Sequence, residues 1–161
     1  MSAAAAQPGP LAVVLSVVAA CLLTMAPVPA WATHWQPPWL ALVLAYWCLA
    51  QPDQVGISVG FTLGLLHDVL TGTPLGQHAL ALSVLAAIVL WVHQRIRVLP
   101  LPQQALLLVP ALALHQALLA LVTGSGGRPL AMTMLLPALS GALVWPWLFL
   151  TLRDLRRGSR F

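Results

Sequence analysis

The chain has 161 residues, 60% of them apolar and only 6% charged. The charges are seven arginines and three aspartates (Asp53, Asp68, Asp154), with neither lysine nor glutamate. Soluble domains carry roughly a quarter charged residues, so a soluble globular protein is excluded, as is a disordered chain; a single-domain, all-α polytopic membrane protein remains.

A hydrocarbon core roughly 30 Å thick requires about 20 apolar residues per spanning helix. Six segments are predicted. The first covers residues 11–30, broken at its end by Pro27 and Pro29. Residues 26–32 read APVPAWA and resemble a leader-cleavage region. The stretch before Leu11 has no basic residue, whereas secretory leaders begin positive, so a retained helix is expected. The second covers 38–50, opened by Pro37 and Pro38 and stopped by Gln51, Pro52 and Asp53. It is short, which implies local thinning of the bilayer or a re-entrant angle. The third covers 55–71 and the fourth 75–93. The fifth covers 103–123, with a kink expected at Pro110, and the sixth 130–152, with distortions expected at Pro137 and Pro146. Residues 153–161 form a basic tail that continues the sixth helix. Spanning β-structure would alternate in polarity every second residue; these Leu/Ala-rich runs are apolar all round.

Arginine sets the expected orientation. Arg95 and Arg97 follow the fourth segment, and Arg153, Arg156, Arg157 and Arg160 follow the sixth, so all six fall on one side. Arginine excess marks that side as cytoplasmic, with both termini there. These residues are read as topology anchors and contacts for anionic lipids. The formal charge of +4 is confined to such flanks, so no nucleic-acid partner is expected. The connection holding Trp31, Trp35 and Trp39 then faces outward, as an interfacial aromatic belt does.

The third segment carries the clearest pattern. Gly56, Gly60, Gly64, Asp68 and Gly72 recur every four residues, with Gly76 four further on. Positions four apart share a helix face, and small residues there let another backbone approach closely. The stripe reads either as an internal packing seam or as a docking face for another protein. Asp68 is the one acid within an apolar segment, where an ionisable group is costly. It is expected to accept N–H bonds from the 70–76 turn and to meet His78. His115 and Gln116 sit in the middle of the fifth segment, with the histidine expected to be neutral and bonded to a facing helix. His34, His67 and His78 share the outward side, but adjacent His67 and Asp68 point about 100° apart on a helix, so no metal site is expected. Cys21 and Cys48 belong to no paired motif. No catalytic motif and no cofactor-binding loop is present in the sequence, so an enzyme is not expected.

Four stretches, at 39–57, 60–82, 102–107 and 143–157, resemble the rod-shape-determining membrane protein MreD family of Gram-negative bacteria. The most specific part is D-x-L-x-G-x-x-L-G, here Asp68, Leu70, Gly72, Leu75 and Gly76, supported by Tyr46-Trp47 and Trp145-Pro146-Trp147. The resemblance implies an inner-membrane fold similar to the substrate-binding subunits of energy-coupling-factor transporters. It implies a non-catalytic scaffold of the cell-elongation complex. Its partners would be the periplasmic protein MreC, the MreB filament, and RodA with its penicillin-binding transpeptidase. The rival expectation is a small-molecule or ion-binding transport subunit, for which Asp68, His78, His115 and Gln116 are the polar candidates.

Overall fold

A computed structural model of the chain describes residues 10–124 and 129–158. Arg128 and Arg160 lie outside the described residues, and with Arg160 that part of the basic-flank expectation. Among the described residues there are six α-helices and no strand. They are α1 (Pro10–Met25), α2 (Trp39–Ala50), α3 (Ile57–Thr71), α4 (Gln77–Ile96), α5 (Leu101–Thr123) and α6 (Leu130–Gly158), with one 3-10 turn at Thr33–Trp35.

Proline places several ends. α1 stops at Met25, five residues short of the expected 30, just ahead of Pro27 and Pro29, which cannot continue the hydrogen-bond ladder. Pro100 precedes α5 and Pro102 sits in its first turn, where a missing N–H costs nothing. Pro110, Pro137 and Pro146 lie inside helices that run through them. α4 and α5 meet the length and composition needed to cross a membrane, as does α6 from Leu135 to Gly158. α6 has 29 residues, about 44 Å at 1.5 Å each. That exceeds the roughly 30 Å of a hydrocarbon core.

The short second segment is enclosed by protein along almost its whole length. α2 has 12 residues, and every one from 40 to 49 is buried. It packs against α1, α4 and α6. A helix enclosed by protein need not match a bilayer in length. Polar ties hold it there. The Trp47 indole N–H donates to Ser16 Oγ of α1 at 2.8 Å, and Ser16 donates to the Val13 carbonyl at 2.8 Å. Tyr46 lies edge-on to Trp47 and to Phe149, with centroids 5.2 and 5.3 Å apart. On α6, Trp145 Nε1 donates to Gln104 Oε1 of α5 at 3.4 Å.

The outer surface is apolar. α1 buries Ala12, Ser16, Val17, Ala20 and Cys21 and exposes Leu11, Val14, Leu15, Val18 and Leu22. Trp91 and Trp147 are 86% and 81% exposed, far beyond what a water-facing surface of this size normally carries. The two ends of α2 differ in chemistry. Its last residues Tyr46, Leu49 and Ala50 share a cleft with Arg97, Arg153 and Arg156. Its first residues Trp39, Leu40 and Ala41 share a larger cavity with His67, His78 and His115.

Candidate functional site: the Asp68 turn and its cavity

α3 and α4 form an antiparallel pair joined by residues 72–76. Glycine sets how closely they approach. A Cβ built on Gly64 would stand 2.3 Å from both Cα and N of Ala79. At Gly60 it would stand 3.0 Å from the Leu82 carbonyl oxygen and 3.2 Å from Leu44 Cδ2. At Gly56 it would meet only Leu90 Cδ1, at 3.7 Å. The central part of the stripe is thus filled by α4 and is not open to a second chain.

Gly72 and Gly76 depart from the helical stripe, because the helix has ended. Gly72 caps α3 with φ +67°, and Gly76 precedes α4 with φ +97°. A Cβ at either would meet nothing within 4 Å. Their task is a left-handed backbone, not close packing. The Gly72 and Thr73 N–H groups both donate to the Asp68 carbonyl, which closes the end of α3.

Asp68 itself is 1% exposed. Its carboxylate accepts four hydrogen bonds. Thr73 Oγ1 donates to Oδ1 at 2.9 Å, the Gly76 N–H to Oδ2 at 2.9 Å, and the His78 N–H to Oδ1 at 3.1 Å. The fourth joins His78 Nδ1 and Oδ1 at 2.7 Å. α4 has no side-chain cap of its own, and Gly76 and His78 carry two of its otherwise unpaired first N–H groups. Asp68 therefore caps α4 from the neighbouring helix, placing negative charge at the positive end of its dipole.

Beside this turn lies a cavity of about 200 Å³. His67, His78, His115 and Gln116 line it, with Gln36 from the connection before α2 and Trp39 from its first turn. The His67 and His78 rings are tilted with centroids 4.3 Å apart. His115, expected to bond a facing helix, has no protein partner at either ring nitrogen, and His67 has none at Nδ1. His34 is not among the lining residues. Thr73 and Gln36 were not singled out from the sequence, and Trp39 was read only as part of an interfacial aromatic belt. Thr73 carries a signal in hindsight, a hydroxyl within the turn of the Asp68 motif; Gln36 and Trp39 are brought to the cavity only by tertiary packing.

The basic flank is divided. Arg97, Arg153 and Arg156 converge on the cleft at the far end of α2, Arg97 from an exposed position, and Arg95 and Arg157 are exposed outside it. These groups suit contact with phosphate oxygens, as guanidinium forks do.

No solved structure matches this chain. Over 141 residues it is 39% identical to the rod shape-determining protein MreD of Haemophilus influenzae, covering 87% of each chain. The family model for the rod shape-determining protein MreD matches residues 7–155. With that match spanning nearly the whole helical bundle, Asp68 turn included, the chain belongs to the rod shape-determining protein MreD family.

Proposed function

We propose that this protein is a non-catalytic scaffold of the cell-elongation complex in the bacterial inner membrane. In that role it docks MreC and links the MreB filament to wall synthesis by RodA and its penicillin-binding transpeptidase. The family match across residues 7–155 carries the reading. Physical features fit it. The connections at 51–56, 72–76 and 97–100 are short, which leaves little chain for recognition outside the bilayer. Partners then meet helix faces at membrane depth. The glycine seam is occupied by α4, so the face of α3 left for a partner is the exposed one bearing Phe61, Leu66, Val69 and Leu70.

The arginine-lined end is taken as cytoplasmic, with both termini there, and the Asp68 turn as periplasmic. Anionic lipids would bind Arg97, Arg153 and Arg156. All six helices are taken to lie within the membrane as one domain, in an arrangement akin to a transporter substrate-binding subunit. The transport-subunit reading itself rests on the polar cavity alone, and the family match favours the scaffold. Depletion in a rod-shaped host tests the proposal. Cells should round up, this sequence should restore rods, and MreC should co-purify with it. Restoration of shape with no MreC recovered would overturn the docking role.

A further inference from the structure

The cavity beside Asp68 contains two buried imidazoles that the protein does not satisfy. His115 and His67 are each 4% exposed. Neither nitrogen of His115 has a protein partner, nor does His67 Nδ1. Leaving a buried polar group unmet costs about 1–3 kcal/mol, and such groups almost always face a partner. Both rings line the same cavity. His78 completes the wall, with Nδ1 committed to Asp68 at 2.7 Å and Nε2 on the opposite edge of its ring. Gln36 Nε2 is spent on the Leu23 and Thr24 carbonyls, which leaves Oε1 as an acceptor.

Charge and size narrow the guest. No arginine lines the cavity, and the Asp68 carboxylate is already met by four donors. A charged guest would find no counter-ion there to offset the hydration it gives up, which is unfavourable. Among the described residues no three His, Cys, Asp or Glu side chains gather closely enough to hold a metal ion. A neutral imidazole offers one donor and one acceptor, and an amide offers both, so the walls match hydroxyl groups, which also do both. Trp39 and Pro137 supply apolar faces for C–H groups. A cavity of about 150 Å³ holds benzene; one of about 200 Å³ accommodates roughly six to eight heavy atoms by the same scaling.

We propose that this cavity binds a small uncharged polyhydroxyl group of glycerol size, held by His115, His67 and Gln116. That chemistry exists free in solution and as the terminal group of phosphatidylglycerol. The inference is independent of the scaffold role, because it concerns occupancy and not partner docking.

The test uses the full chain, labelled with 15N-histidine, in nanodiscs of phosphatidylethanolamine alone. Glycerol is titrated while the ring nitrogens are followed by NMR, with His93 near the opposite end of α4 as the internal control. The expected result is a saturable shift at His115 and His67 with none at His93. A second set of nanodiscs contains phosphatidylglycerol. If the lipid is the source, the shifted positions appear there before any glycerol is added; if they appear only with glycerol, the free polyol is the source. His115→Phe keeps a ring of similar size and should weaken saturation at His67 at least tenfold, and Gln116→Leu should weaken it several-fold. Shifts that grow linearly, or equally at His93, or that are absent in both membranes, would overturn the proposal. So would stoichiometric metal in the purified protein. The wild-type titration decides the question even if His115→Phe does not fold.

Discussion

Gly64→Ala is the sharpest perturbation of the α3–α4 seam. The new Cβ would sit 2.3 Å from Ala79 Cα and N, whereas carbon atoms settle at about 3.5–4.0 Å. The helices must part by about 1.2 Å even to reach the lower bound, and the obstructing atoms are backbone, so no rotamer change can relieve them. Ala79 adjoins His78, whose ring meets Asp68 at 2.7 Å. A shift of that size carries the contact beyond about 3.5 Å, where it ceases to be a hydrogen bond. Overpacking costs about 1–3 kcal/mol, each buried group left unmet about 1–3 kcal/mol, and the gain in helix propensity returns about 1 kcal/mol. The net expectation is a loss of roughly 3 kcal/mol. Gly60→Ala, with 3.0 Å to the Leu82 oxygen and 3.2 Å to Leu44 Cδ2, should cost less. Gly56→Ala, at 3.7 Å from the mobile end of Leu90, should stay within about 1 kcal/mol. Thermal unfolding in nanodiscs and steady-state abundance should rank the three in that order. A Gly64→Ala protein as stable as the parent, or a Gly56→Ala protein equally damaged, would refute the reasoning.

Asp68→Leu should be markedly worse than Asp68→Asn in abundance and in rescue of cell shape, since leucine strands four part-buried donors, while the amide keeps one acceptor oxygen. Indistinguishable variants would remove the polar role. Gly72→Ala should cost about 1–2 kcal/mol through the left-handed backbone alone, with Gly72→Asn recovering part of it; unfolding midpoints of the two variants check this. Ser16→Ala should cost about 2 kcal/mol, because it leaves the buried Trp47 N–H without its acceptor. Tryptophan emission of the folded protein should change with it.

Much of the bundle was readable from apolar run length and proline, because a helix end at Pro27 or before Pro52 follows from a missing N–H. The four-residue spacing of glycine was also readable, since it is a local property of one helix. Its partner was not: an internal helix and a foreign one demand the same small residues. The enclosure of α2 was hidden for a similar reason. Lipid and protein interior are both apolar, so Leu-Ala-Leu-Val is equally suited to either. The Asp68 turn was partly legible, as its partners lie within ten positions along the chain. His115 was not, because its surroundings come from α2, α3 and α4, and nothing in its own helix records them.

The bonding of Asp68 bears on how the chain is made. Every donor to its carboxylate comes from Thr73, Gly76 or His78, so its hydrogen bonds come from residues synthesised within moments of it. α3 and α4 can close into a hairpin as they leave the ribosome, before α5 and α6 exist.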